Sequence, residues 1–153
     1  RGGLDAATAS LLYSGLFVVS LVQLVTGDLS DRVGRLPVIG ATLGLAATGL
    51  VALVVLGSAG LLPLGTAVVA LGLGSHGFRP VRGAYLSAVI PESVAGGGLG
   101  VVRTLLMGAG AVAPAIVGVV SDRRGFGAAF LLLAVSMTLA AVLTGVVALL
   151  DTE

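Results

Sequence analysis

Two long stretches without charge constrain this chain more than any other feature. Neither an acidic nor a basic residue occurs between Ala6 and Gly27, or between Leu36 and Gly74. Only 10% of the 153 residues are charged and 57% are hydrophobic, whereas a soluble domain carries about 25% charged residues. The chain is too apolar to cover itself with a water-facing surface, so we predict an integral membrane protein whose main partner is the lipid bilayer.

The apolar stretches divide into five predicted membrane crossings. A bilayer core of about 30 Å takes roughly 20 apolar residues per helix, which puts the crossings at about 6–26, 37–56, 61–90, 99–120 and 127–150. The run from Gly57 to Gly60 separates the second crossing from the third, and Pro63 is tolerated in the first turn of the helix that follows. The predicted fold is all-α, a polytopic bundle of five transmembrane helices.

The arginines predict how the chain is oriented in the membrane. Because successive crossings alternate in direction, the arginines fall into a larger set on one side, Arg32, Arg35, Arg79, Arg82 and Arg103, and a smaller set on the other, Arg1, Arg123 and Arg124. Cytoplasmic loops carry an excess of Lys and Arg. We therefore expect a multi-pass protein of a prokaryotic-type plasma membrane, with loop 27–36 in the cytoplasm.

A charged nonapeptide joins the first two predicted crossings, and we refer to it as the charged turn: Gly27-Asp28-Leu29-Ser30-Asp31-Arg32-Val33-Gly34-Arg35. Glycine at 27 and 34 allows a sharp reversal with positive φ values. The Asp31 carboxylate can accept hydrogen bonds from exposed amides at a helix N-terminus, where the helix dipole favours it. The alternative is a solvated loop that only obeys the rule of positive charge on the cytoplasmic side.

The charged turn resembles the loop signature of the major facilitator superfamily, which lies between the second and third helices of each six-helix half. The match departs at Leu36, where the family usually has another basic residue, and it covers Gly27, Leu29, Asp31, Arg32, Gly34 and Arg35. The resemblance implies the helical bundle of that family and a secondary active transporter of small solutes that works by alternating access. It also implies that the charged turn is a conformational latch, with the residues Gly27, Asp28, Asp31, Arg32, Gly34 and Arg35.

The resemblance further suggests which part of such a transporter this chain represents. Five crossings with the charged turn after the first correspond to helices two to six or eight to twelve. Because the sequence ends three residues after its last apolar run, and an N-terminal half would continue into a long central loop, we favour most of the C-terminal half. The expected partners are then the missing N-terminal half and first helix of the same transporter. A non-transporting membrane sensor and a scaffold protein with the same fold are the alternatives.

Four polar residues in two neighbouring crossings are the candidate substrate or charge-relay residues: His76, Arg79, Arg82 and Arg103. At about 1.5 Å per residue, Arg82 lies about 13 Å from Pro91, and Arg103 lies at a similar depth on the next helix. The two arginines could bind an anionic substrate or pair with acids of the absent half; alternatively, they extend to the membrane surface as snorkelling side chains. His76 is a candidate site for proton coupling, and the alternative is a histidine that hydrogen-bonds to the backbone.

The charged turn has a partial repeat three crossings later. The pattern Gly-x-x-Ser-Asp-Arg-x-Gly occurs at 27–34 and again at 118–125. An odd number of crossings between the copies puts them on opposite sides of the membrane, and inverted repeats of this kind build many secondary transporters. Chance is the alternative, because glycine, serine and aspartate are common in turns.

The remaining motifs argue against an enzyme. Gly72-x-Gly74-x-x-Gly77 matches a dinucleotide-binding fingerprint, but no pattern of alternating strands and polar helix faces surrounds it. We interpret glycines 72, 74, 77 and 83 as positions where transmembrane helices approach closely. The sequence contains no cysteine, nucleophile triad, carboxylate pair or metal-ligand cluster. We therefore expect no catalytic activity, no cofactor, no metal site and no nucleic-acid partner.

Overall fold

The structure is a computed structural model that describes residues 19–151, together with residues 7, 10, 11, 14 and 15. Five helices follow one another in the continuous part: α1 (Val22–Val33), α2 (Arg35–Val55), α3 (Leu61–Val89), α4 (Ala95–Arg124) and α5 (Phe126–Leu150). A short 3-10 helix, Glu92–Val94, precedes α4, and no strand occurs in this described part. Most of the first predicted crossing, 6–26, lies outside the described residues.

Four helical segments are long and apolar enough to cross a membrane: Arg35–Val55, Leu61–Val89, Glu92–Arg124 and Phe126–Leu150. This strand-free arrangement of the described residues confirms the predicted all-α, polytopic fold class. The helix α4 has 30 residues, so it is about 45 Å long at 1.5 Å per residue. It begins before the predicted 99–120 crossing and ends after it, because a helix can continue beyond the hydrocarbon core of about 30 Å.

The central helix of the bundle is α2, which packs on both α3 and α5. Its side chains Val38, Ile39 and Leu43 form a buried cluster with Val81 of α3, and Met137 of α5 packs against this cluster. By contrast, no residue of α4 is buried within the described chain, and α4 packs mainly on α5. The surface of α4 is therefore left for lipid or for another part of the protein.

Glycines of α3 let this helix approach the backbone of α2. A Cβ at Gly74 would lie 2.5 Å from the Thr42 carbonyl oxygen, and a Cβ at Gly77 would lie 2.9 Å from the Thr42 methyl carbon. Gly72 is buried as well. The prediction of close helix approach is thus confirmed at Gly74 and Gly77. It is not borne out at Gly83, where a Cβ would meet no atom of the described residues within 4 Å.

One buried hydrogen bond joins α1 to α3. The Thr26 hydroxyl donates to the Gly77 carbonyl oxygen 2.9 Å away, and Thr26 is buried. Ser30, one turn later, is also buried, and its hydroxyl donates to the Gly27 carbonyl oxygen of its own helix. Thr26 and Ser30 define the packed face of α1, and the two acids of the charged turn lie on its exposed face.

Candidate functional site

The charged turn is mostly helical, which corrects the predicted loop. The helix α1 continues through Val33, so residues 27–33 are helical and only Gly34 separates α1 from α2. Gly27 lies inside the helix without a positive φ, and Gly34 alone makes the reversal. The physical reason is that the end of an apolar stretch does not end a helix, since charged residues four apart on a helix support each other in water.

Gly34 ends α1 in a conformation that its counterpart in the repeat reproduces. It has φ 94° and ψ 153°, a backbone region that is essentially restricted to glycine, and its amide donates to the Ser30 carbonyl oxygen 3.1 Å away. Gly125 has φ 83° and ψ 165°, and its amide donates to the Ser121 carbonyl oxygen 2.8 Å away. In both copies the next helix begins at the following residue. The two copies therefore fold into the same turn.

Replacing Gly34 by alanine is expected to lower the free energy of unfolding by about 1–3 kcal/mol, because a Cβ is strained in this backbone region. Gly27→Ala is the matched control, since Gly27 has no positive φ and a Cβ there would meet no atom of residues 19–151 within 4 Å. Alanine is the better helix former, so the control is expected to unfold at the same temperature as the unmodified protein or higher. Thermal unfolding in detergent micelles compares the two variants. Equal decreases in their unfolding temperatures would contradict this role of Gly34.

Two residues of the charged turn carry charges that oppose the helix dipoles. Asp31 lies in the last turn of α1, near its partial negative charge, and Arg35 is the first residue of α2, at its partial positive charge. Each placement is unfavourable by about 0.3–1 kcal/mol. Arg32 pairs with Asp28 instead, with 3.0 Å between Nη2 and Oδ2. Neither Asp31 nor Arg35 forms an ion pair with any residue in the described part of the chain.

Asp31 does not cap α2, although the sequence predicted a carboxylate bound to amides at a helix N-terminus. The N-terminus of α2 has no hydrogen bond from a capping side chain. The physical reason is that α1 remains helical to Val33, which keeps Asp31 in the last turn of its own helix. In this conformation the Asp31 carboxylate is exposed to solvent.

His76 is bonded to the backbone of its own helix, as the simpler of the two alternatives predicted. Its Nδ1 lies 3.0 Å from the Gly72 carbonyl oxygen, which can only accept, so Nδ1 carries the proton in this hydrogen bond. The other ring nitrogen, Nε2, is then the one that can accept a hydrogen bond. Four residues later, Pro80 has no N–H to donate to the His76 carbonyl oxygen. The helical hydrogen bonding of α3 is therefore interrupted beside the histidine.

The four candidate substrate residues are only partly brought together. Arg82 and Arg103 line the same cavity between α3 and α4, which has a volume of about 500 Å³. Arg79 does not line this cavity and is exposed. His76 lies more than a turn away from Arg82 along α3 and does not line the cavity either. One pair of arginines is the part of the predicted cluster that the fold assembles.

Two contacts made by residues of α3 were not predicted from the sequence. The Tyr85 hydroxyl donates to the Asp151 Oδ2 atom 3.3 Å away, which joins α3 to the end of α5. The guanidinium carbon of Arg82 lies 5.2 Å from the centre of the Phe78 ring, within the range of a cation–π contact. The spacing of four residues between Phe78 and Arg82 is a signal that could have predicted the second contact. No sequence pattern pairs Tyr85 with Asp151.

The comparison with protein families identifies the chain. The family model described as Major Facilitator Superfamily matches residues 3–153, which is nearly the whole sequence. No curated protein and no solved structure matches the chain. The match agrees with the membrane-type helices and with the order of residues in the charged turn. The chain therefore belongs to the major facilitator superfamily, a family of multi-pass membrane transporters rather than enzymes.

Proposed function

We propose that this chain is part of a secondary active transporter that moves small solutes across the plasma membrane by alternating access. The family match and the four membrane-type helices support this proposal. The observation that carries the mechanism is the pair of charges around Gly34, Asp31 and Arg35, which have no ionic partner among the described residues. Charges that oppose the helix dipoles in one conformation favour a second conformation in which they have partners.

In this proposal the charged turn is the cytoplasmic latch of the transporter. The Asp28–Arg32 pair, 3.0 Å apart, stabilises the exposed face of the last turns of α1. Gly34 makes the reversal that presents Asp31 and Arg35 on either side of it. Their contacts with other parts of the protein form when the cytoplasmic side closes and break when it opens. The excess of arginine on this side of the chain supports a cytoplasmic position for loop 27–36.

We also propose that the chain is most of the C-terminal half of the transporter. The N-terminal half and one further helix would complete it, and the solute site would lie between the halves near the middle of the membrane. The uncovered surface of α4 supports this arrangement, because a helix of 30 residues has no buried residue within the described chain. A helix this apolar needs lipid or protein over its whole surface.

His76, Arg79, Arg82 and Arg103 remain the candidate substrate or charge-relay residues. His76 donates through Nδ1 to Gly72, so Nε2 is the ring nitrogen left to accept from a solute or a proton donor. Coupling to protons through this nitrogen is part of the proposal. The arginines would favour an anionic solute, since guanidinium groups recognise carboxylates and phosphates.

A flux measurement separates this proposal from a membrane sensor and a scaffold protein. Three solutes, a hexose, an organic dicarboxylate and a lipophilic cation, are first screened against the full-length protein with both halves. The solute that raises its unfolding temperature is chosen. That solute is then offered in radiolabelled form to vesicles that contain the protein. We expect net flux that saturates with solute concentration. Binding without net flux would favour the sensor, and a stable protein complex with neither binding nor flux would favour the scaffold.

A further inference from the structure

We infer that the cavity between α3 and α4 binds the phosphate head of an anionic lipid from the cytoplasmic leaflet. Arg82 of α3 and Arg103 of α4 line this cavity, which has a volume of about 500 Å³. The inference rests on the proposed orientation of the chain in the membrane. It gives Arg82 and Arg103 a lipid phosphate as their partner in place of the solute, so it does not depend on which solute is transported.

The two arginines present a positive charge that the described part of the chain leaves without an acidic partner. The guanidinium group of Arg82 lies over the Phe78 ring, which lines a neighbouring cavity together with Arg82 and does not neutralise the cation. Arg103 is exposed. Guanidinium groups bind phosphate oxygens through two parallel charge-assisted hydrogen bonds. The cavity therefore has the chemistry of an anion site.

The arginines lie close enough to the cytoplasmic ends of their helices for their side chains to reach the lipid head groups. The helix α3 ends at Val89 and α4 begins at Ala95, so Arg82 and Arg103 lie about 10 Å and 12 Å from these ends at 1.5 Å per residue. Helices of 29 and 30 residues exceed the hydrocarbon core of about 30 Å by roughly 14 Å. If they are centred, about 7 Å projects on each side. A long arginine side chain then reaches the boundary between hydrocarbon and head groups.

The apolar part of the wall favours a lipid over a free phosphate. Leu86 of α3 and Leu99, Leu106 and Met107 of α4 line the same cavity as the two arginines. An acyl chain can pack along these side chains while its phosphate lies between the guanidinium groups. A free phosphate has the same charge but gains nothing from the apolar wall. Basic pockets between transmembrane helices on the cytoplasmic side bind anionic lipid heads in this way.

Native mass spectrometry of the full-length protein in neutral detergent tests the inference. Phosphatidylglycerol is compared with zwitterionic phosphatidylcholine and with glycerol 3-phosphate, which has the phosphate but no acyl chain. We expect phosphatidylglycerol to bind most tightly of the three. Changing both arginines, Arg82→Gln with Arg103→Gln, is expected to weaken its binding by about 30-fold, since each arginine contributes roughly fivefold.

The matched control is the double variant Arg123→Gln with Arg124→Gln, which removes the same charge at the other end of α4. Arg123 and Arg124 line a different cavity, between α4 and α5, so the variant is expected to change the affinity of the cavity between α3 and α4 for phosphatidylglycerol by less than about twofold. If the first double variant does not fold, Arg103→Gln alone still tests the site, since Arg103 is exposed. The affinity of that variant for phosphatidylglycerol is expected to be roughly fivefold lower, which is the contribution of one arginine.

Three results would overturn the inference: equal weakening by the two double variants, equal binding of the two lipids, or binding of glycerol 3-phosphate as tight as that of phosphatidylglycerol. Solute flux, measured on the same protein, separates this inference from the proposed function. Flux without a preference for phosphatidylglycerol overturns the lipid site and leaves the transporter standing. A preference for phosphatidylglycerol without flux overturns the proposed transport function and leaves the lipid site standing.

Discussion

Gly74→Ala is expected to lower the unfolding temperature of the protein in detergent more than any other variant described above. A Cβ at this position would lie 2.5 Å from the Thr42 carbonyl oxygen and would also collide with the Ala46 amide nitrogen. Both atoms belong to the backbone of α2, so neither can move aside as a flexible side chain can. Overpacking in a core costs about 1–3 kcal/mol, and more where the backbone has to shift. We therefore expect the contact between α2 and α3 to be lost.

Gly83→Ala is the matched control on the same helix. A Cβ at Gly83 would meet no atom within 4 Å in the part of the chain that the structure describes, and alanine is favoured over glycine inside a helix by about 0.5–1 kcal/mol. This variant is expected to unfold at the same temperature as the unmodified protein or higher. Gly49→Ala tests the contact from the side of α2, because its Cβ would lie 2.5 Å from the Leu71 amide nitrogen. Equal unfolding temperatures for Gly74→Ala and Gly83→Ala would contradict the close packing of α2 and α3.

The helices of the bundle could be predicted from the absence of charge. The uncharged stretch from Leu36 to Gly74 contains nearly all of α2 and the first half of α3. Its interruption at Gly57–Gly60 is the observed break between these helices, where Gly60 has φ 101°. Such segments are readable because a lipid-facing helix must be uncharged over roughly 20 residues and must satisfy its backbone hydrogen bonds internally.

The ends of the helices could not be predicted in the same way. The helix α1 runs through the charged turn to Val33, and α4 begins at Ala95, before a run of three glycines. Hydropathy marks where a chain leaves the hydrocarbon, but backbone hydrogen bonding continues into water. A helix stops where a residue cannot extend it, and here that residue is Gly34 or Gly125, with its positive φ.

The sequence could predict how far along their helices the candidate arginines lie, but not the direction in which their side chains extend. Counting residues from Pro91 puts Arg82 and Arg103 at a similar level, and in the structure these two residues line one cavity. Counting does not give the direction of each side chain, so Arg79 was grouped with them and lies elsewhere. The pairing of Arg32 with Asp28, rather than with a partner across a loop, depends on the charged turn being helical. That could be known only from the structure.

Asp31→Asn is expected to reduce solute flux by about tenfold or more while leaving the protein inserted and folded. A tenfold change in the population of the state that the latch stabilises requires a change of only about 1.4 kcal/mol. The substitution keeps the shape of the side chain and removes its charge, so a latch that depends on the carboxylate fails. Folding is expected to be unaffected because Asp31 is exposed and has no ionic partner in the described residues. Removing its unfavourable contact with the α1 dipole adds about 0.3–1 kcal/mol of stability.

The repeat supplies a matched control for this substitution. Asp122 occupies the position of Asp31 in the second copy of the pattern, three residues before Gly125. It is exposed and lies in the last turn of α4. Asp122→Asn therefore removes the same charge from the same turn, but on the side of the membrane that we propose to be external. We expect it to leave flux unchanged.

The central claim is that the charged turn controls transport from the cytoplasmic side. Initial rates of solute flux into vesicles, normalised to the amount of folded protein, test it most directly when the unmodified full-length protein, Asp31→Asn and Asp122→Asn are compared. The account predicts equal rates for the unmodified protein and Asp122→Asn, and a rate of about one tenth or less for Asp31→Asn. An Asp31→Asn protein that transports as fast as the unmodified protein would contradict it.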